Sequence, residues 1–266
     1  MFECSSHAKW ILSGEHAVLR GHPAIVFPKP DSQLKLYFSA QNMLSITWDA
    51  HDEYLHQLKK LITHLAHQKN LPIQGHLHFE NTIPIGKGFG FSAALSICLA
   101  KLLIHLGLKE PVFSLAHQIE HYFHGKSSGL DIAGCLHTTP ICFQDGQITP
   151  LDLKKSPNIQ LIDSGISARS SLCIEKVHQL FQSNPTQAYH IDQNMKTASL
   201  MAKEALIENN IKKLSAAIDL SQTCFSDWGL VPQEINDQIE KLKADGAVSC
   251  KLSGAGLGGL IIALYD

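Results

Sequence analysis

The chain has 266 residues, 44% of them apolar and 17% charged, with a formal charge of −2. That length suits one large or two medium domains, each with its own core, and the composition is globular rather than disordered. The near-neutral balance leaves no basic footprint for nucleic acid or an anionic membrane surface.

From residue 8 to about 48, short β-branched and aromatic runs (KWILSG, AIVF, QLKLYFSA, LSITW) alternate with turn residues, predicting a β-rich start. In HDEYLHQLKKLITHLAHQKN the residues Tyr54, Leu55, Leu58, Leu61, Ile62 and Leu65 recur at threes and fours. This predicts a helix over about 52–69 with His51, His64 and His67 on or beside its solvated face. A strand at 75–80 follows, in which His76 and His78 alternate with Leu77 and Phe79. It leads into a glycine loop and a helix at about 91–106, whose Leu95, Cys98, Leu99, Leu102 and Leu103 share a face. A further helix at about 111–123 ends in the turn HGKSSG, and a strand near 140–144 with a turn at DGQ closes the first half. The polar, proline-containing LDLKKSPN puts a domain boundary near residue 157, giving domains 1–157 and 158–266. Beyond it come the strand IQLID, helices at about 169–182, 187–208, 211–228 and 232–243, a strand, a glycine turn and the strand LGGLIIALY. Helices gathered between strands predict an α+β layer on a mainly antiparallel sheet.

No apolar run is long enough to cross a bilayer. The start MFECSSHAKW lacks the basic and apolar regions of a signal peptide. Seven scattered cysteines without a C-x-x-C pair suggest neither a disulfide framework nor a zinc knuckle, so a reducing cytoplasm fits. Sixteen histidines invite a metal reading, but His64 and His67 have no carboxylate or cysteine at ligand spacing and read as surface residues.

The chemistry concentrates in four segments. PIGKGFGFSAALSIC, Pro84 to Cys98, sets glycines at 86, 88 and 90 ahead of a helix, so that backbone N–H groups and the free helix N-terminus converge on one spot suited to phosphate. It is not a Walker loop, because Gly86-Lys87 precedes Gly88 rather than Ser or Thr, and Asn81 stands where the earlier glycine belongs. Nor is it a dinucleotide fingerprint, whose third glycine falls on Phe91. AKWILSGEHAVLRG delivers Lys9 on a strand and Glu15 and His16 on the turn after Gly14. IEHYFHGKSSGLDIAG offers two carboxylates, Glu120 and Asp131, which can divide labour between holding a cation and facing a hydroxyl. KLSGAGLGG at 251–259 is a second glycine-rich turn between strands. Taken singly, each has an ordinary structural reading.

In this order, the four segments resemble the GHMP kinase superfamily, whose members carry a Lys-bearing strand with a Gly-Glu-His turn, a Pro-x-Gly-x-Gly loop, a Ser-Gly-x-Asp turn and a C-terminal glycine segment. Gly14 to Gly21 and the run Glu120, Gly125, Ser128, Gly129, Asp131 look most like its mevalonate kinases. The resemblance implies a two-domain α+β GHMP kinase fold, with a β-rich N-terminal domain holding the phosphate loop and a ferredoxin-like C-terminal domain. It implies Asp131 and Lys9 as catalytic residues, and Ser92 and Glu120 as Mg²⁺ ligands. Glu15, His16 and Ser170 would face the acceptor. ATP would be held by the loop residues Pro84, Gly86, Lys87, Gly88, Gly90, Phe91, Ser92 and Ala93, with Ser128 and the closing turn Gly254, Ala255 and Gly256. The implied reaction is phosphorylation of mevalonate on the route to isoprenoid precursors. Alternatives are another acceptor (phosphomevalonate, a sugar, a homoserine-like alcohol) or a non-catalytic metabolite-binding protein. A homodimer is left open. The sequence departs from the pattern at Phe89, at Phe91, at Thr138-Thr139 and at Leu257 within the last glycine run.

Overall fold

The computed structural model describes residues 1–48, 52–125, 127–167 and 170–266. The expectations placed on His51 and on residue 169 lie outside the described residues.

β1 (Phe2–Ser13) and the 17-residue β2 (Ala24–Ala40) form a long antiparallel pair. The sequence read β2 as two short runs broken at Pro28 and Pro30. The strand instead continues through them, with register shifts against β1 between His7 and Ala8 and between Ile11 and Ser13. β3 (Ser45–Trp48), α1 (Asp52–Gln68) and β4 (Gly75–Asn81) follow. β4 pairs antiparallel with residues 34–40 of β2 and parallel with β3. On α1, His64 and His67 are exposed as expected, while Leu58, Leu61, Ile62 and Leu65 enter the core. His76 on β4 meets the hydroxyls of Ser45 and Thr47 along the outer side of the sheet.

α2 (Phe91–His105) departs from its expected one-sided pattern. Residues 93–100 are all buried, together with Leu102 and Leu103, because the helix runs between the sheet and α3 (Val112–His124). A helix apolar on every side is a central helix. α4 (Leu130–Leu136), which the sequence reading took as part of a turn, is two turns long and too short for periodicity to reveal. β5 (Ile141–Gln144) and β6 (Gln147–Pro150) form a hairpin on β2, completing a six-stranded sheet.

A second, three-stranded antiparallel sheet has the order β7 (Ile159–Asp163), β9, β8. Between β7 and β8 come α5 (Ser170–Ser183), α6 (Pro185–Glu208), α7 (Ile211–Asp227) and α8 (Gln233–Ala244), and then β8 (Ser249–Ser253) and β9 (Leu260–Leu264). The helix boundaries are local chemistry. Asn184 caps α6 by accepting from Gln187 N, with Pro185 in the first turn; Asn209 ends that helix in the left-handed region, and Asn210 caps α7 through Lys213 N. The largest core joins the inner face of the first sheet and α1–α3 to Ala202, Leu206, Leu214 and Ile218 of α6 and α7. A second core lies between the small sheet and α5, α7 and α8. Each large apolar side chain enclosed there contributes roughly 1.5–3 kcal/mol. At the end of β1 Ser13 meets Ser199 of α6 and Ser221 of α7, and Ser253 Oγ accepts from Ile11 N at 3.1 Å and donates to Ile11 O at 2.8 Å.

Candidate active site

The strand β1 places Lys9, and Gly14 ends it. With φ at +103° and a hypothetical Cβ only 2.4 Å from Ala24 Cα, that turn accepts glycine alone. Glu15 and His16 follow, His16 itself at φ 58°, and a single 3₁₀ turn over Ala17–Arg20 returns the chain to the sheet.

The loop before α2 holds Gly86, Gly88 and Gly90 at φ 74°, 85° and 78°. Gly90 serves two needs. It caps α2 without any side-chain hydrogen bond to the first turn, leaving the helix N-terminus to a ligand, and a Cβ there would strike Lys9 Cε at 2.7 Å. Lys9 therefore slides past the loop. Its Nζ donates to Gly88 O at 3.1 Å and lies 3.0 Å from Asp131 Oδ1. The lysine is 2% exposed and the aspartate 33% exposed, so the pair has one sealed end and one accessible end.

Asp131 stands in the first turn of α4, launched by a serine turn. Ser128 Oγ accepts from Leu130 N and Ser127 Oγ from Gly129 N, both at 3.2 Å. Ser127 also donates to Glu120 Oε2 at 2.5 Å. Glu120 projects from α3 and is 1% exposed. Burial, and after it the neighbouring Asp131 charge, push its carboxyl up to about 7 against the opposing pull of Ser127 and Lys9. Two carboxylates crowded in this way make a place where a divalent cation relieves repulsion.

The opposite wall is the turn after β8. His16 Nε2 donates to Ala255 O at 2.7 Å, with its ring edge-on to Trp228. Burial lowers its pKa to about 4, so the imidazole is neutral at physiological pH. Glu15 is buried and takes Lys251 at 2.6 Å through Oε1, which also accepts from Gly254 N at 3.4 Å. Burial lowers the Lys251 pKa and Glu15 opposes that shift. Leu257 keeps the conformation of the glycine it stands in for, at φ 60°, with its N–H on Leu230 O.

These walls enclose a cavity of about 330 Å³. Lys9, Glu15, His16, Gly86, Gly88, Gly90, Phe91, Ser92, Glu120, Ser128, Asp131, Ser170, Gly254 and Ala255 all line it. Four expected contacts do not. Pro84 and Ala93 flank the loop without reaching the cavity, and Lys87 turns outward to Asp163 at 3.1 Å. Gly256 sits behind the wall, where a Cβ would meet Leu230 Cβ at 2.8 Å. Phe91 lines the cavity while its ring stacks on Trp48 with centroids 5.6 Å apart, and Phe89 is buried in the core. The sequence reading missed Ser127, Ser253, Lys251 and the apolar wall of Ile11, Val18, Leu19 and Ile174. Lys251 and Ser253 carried a signal, by standing within the KLSGAGLGG segment.

The GHMP kinases N terminal domain matches residues 56–139 and the GHMP kinases C terminal domain residues 202–266, together more than half the chain. The mevalonate kinase of Pyrococcus horikoshii is 25% identical over 98% of this chain and 87% of its own length. Among solved structures, L. major mevalonate kinase in complex with R-mevalonate superposes with a TM-score of 0.81 at 22% identity, covering 100% of this chain and 87% of that one. Streptococcus pneumoniae phosphomevalonate kinase, in complex with phosphomevalonate and AMPPNP, reaches 0.80 at 17% identity, covering 100% and 92%. With both domain models in place around a cavity that gathers the four motifs, the chain belongs to the GHMP kinases.

Proposed function

We propose that this kinase transfers the γ-phosphoryl group of Mg·ATP to the primary hydroxyl of mevalonate, giving 5-phosphomevalonate for isoprenoid precursors. The observation that carries the reading is Asp131, one-third exposed at the cavity, with its Oδ1 on the buried Lys9 ammonium.

The loop fits a polyphosphate. Three glycines in the left-handed region, open space where a Gly86 Cβ would stand, and an uncapped helix N-terminus supply N–H donors without side-chain obstruction. Ser92 and Glu120 line the same cavity and fit as Mg²⁺ ligands, since both are oxygen donors and Glu120 is buried beside a second carboxylate, Asp131. A bound Mg·ATP supplies the phosphoryl group and neutralises its charge.

The protein does the rest by positioning. Asp131 accepts or orients the acceptor's hydroxyl proton. Lys9 aims that carboxylate through the 3.0 Å ion pair and ties it to the loop through Gly88 O. Ile11, Val18, Leu19 and Ile174 give the acceptor an apolar wall, and Ser170 stands at the same cavity near their end of it. A small apolar-faced alcohol suits that wall better than a sugar. The absence of a cation cluster among the described lining residues beyond Lys9 disfavours an acceptor that already carries phosphate.

We place the domain boundary near residue 157, between the two sheets, and the protein in the cytoplasm; among the described residues no helix is long and apolar enough to cross a membrane. The test is ADP release with Mg·ATP and a panel of mevalonate, phosphomevalonate, galactose and homoserine, with Asp131→Ala in parallel. Turnover on mevalonate that vanishes in the variant supports the reading. Turnover on another member moves the acceptor, and nucleotide binding with no turnover makes this a binding protein.

A further inference from the structure

The cavity's two walls come from opposite ends of the chain, and a buried ion pair joins them. Lys251 is fully enclosed in β8, with its Nζ 2.6 Å from Glu15 Oε1 and 4.9 Å from the centre of the Phe225 ring. The same Glu15 oxygen accepts from Gly254 N, while His16 donates to Ala255 O. Two consecutive residues of the N-terminal turn thus hold two consecutive residues of the C-terminal glycine turn. Lys251 is the counter-charge that allows the carboxylate to be buried there.

We propose that Lys251 is a positioning residue for phosphoryl transfer: acting through Glu15, it sets the C-terminal glycine turn against the phosphate loop while touching neither nucleotide nor acceptor. The proposal rests on the kinase reading above.

Three observations favour positioning over plain stability. First, a buried ion pair is a poor stabiliser, because desolvation largely offsets the attraction. What a charge pair adds is direction. Second, the two glycine turns face each other across less than the room a side chain would need. A Cβ at Gly88 would lie 3.5 Å from Ser253 O, and one at Gly254 would lie 3.8 Å from Gly88 Cα, so displacement of one turn is passed to the other. Third, β8 is already registered on the Lys9 strand through Ser253 and Ile11, so Lys251 adds a second point of attachment two residues away and removes the remaining freedom of rotation. Without the ammonium, Glu15 is stranded, since its Oε2 has no partner among the described residues, and Gly254 N–H loses a fixed acceptor.

The experiment compares wild type, Lys251→Met and the double variant Lys251→Met with Glu15→Gln by thermal unfolding, steady-state kinetics on mevalonate and calorimetric Mg·ATP binding. Lys251→Met is expected to fold, to lose about 30-fold or more in kcat and to bind Mg·ATP about fivefold more weakly, as a displacement on the ångström scale would produce. The double variant is expected to recover at least about fivefold in kcat, because an amide needs no counter-charge and still accepts from Gly254. A folded Lys251→Met with kcat and Mg·ATP affinity within about threefold of wild type overturns the proposal. So does a loss that tracks the melting temperature and is not rescued in the double variant, which marks a purely structural role. Failure of the underlying reading looks different: wild type itself is then silent on mevalonate. The Mg·ATP affinities of the three proteins still decide the role of Lys251.

Discussion

Two lysine–carboxylate pairs flank the same cavity, and they differ in what surrounds them. Lys9–Asp131 has a sealed cation and a carboxylate one-third exposed; Lys251–Glu15 is sealed at both ends, 0% and 2% exposed. An ion pair that keeps one oxygen in reach of a substrate is equipped for chemistry. One closed on both sides has nothing to react with, and its contribution is to hold backbone in place. The same pairing of a lysine with a carboxylate thus acquires different duties according to its burial.

The sharpest way to break this comparison is at the open pair. Asp131→Ala is expected to cost about 10³-fold or more in kcat, with Mg·ATP affinity little changed, because the loop and helix N-terminus remain. A loss below about tenfold would remove Asp131 from the chemistry. Lys9→Met is expected to cost about 10²-fold in kcat and also to weaken nucleotide binding, since Lys9 holds Gly88 O as well as Asp131; parallel kinetics and calorimetry check both.

A subtler test uses pH on the metal-free protein. His16 is held at about 4 against an ordinary 6.5, so between those values the unfolded chain binds the proton that the folded chain refuses, and stability falls as pH falls through the window. Glu120 is held at about 7 against an ordinary 4.5, so the folded chain keeps a proton that the unfolded chain releases, and stability falls as pH rises through that window. Each effect amounts to about 3 kcal/mol at most, and they oppose one another. Urea unfolding of the wild type between pH 4.5 and 6.5 is therefore expected to be nearly flat. Glu120→Gln should leave a protein that weakens towards acid, and His16→Gln one that weakens towards neutral. Equal slopes in all three would refute the opposition.

The smallest effect is expected at Leu257→Gly. Relief of left-handed strain, about 1 kcal/mol, is offset by loss of the half-buried side chain's packing, so the melting temperature should move by only a few degrees.

Much of the catalytic side was legible because it is written locally. Alternating glycines, a Gly-Glu-His turn and a Ser-Gly-x-Asp turn are short motifs whose backbone needs select particular residues, and Lys9, Glu120 and Asp131 sit inside them. The failures are equally physical. AIVF and QLKLYFSA looked like separate runs, yet β2 carries Pro28 opposite Lys9 and takes Pro30 through a shift in register. α2 looked one-sided because periodicity reports only neighbours along the helix, and the second layer packed over it is invisible there. The resemblance places Lys87 among the nucleotide contacts, and the fold adds an ion pair with Asp163 that no local pattern announces.

By itself the sequence determined the periods of helix and strand and the four short motifs, all of which depend on residues a few positions apart. Only the tertiary structure decided which charges meet. Glu15 and Lys251 are 236 residues apart in the chain, and their pairing is set by how two sheets pack rather than by any spacing a one-dimensional pattern can carry.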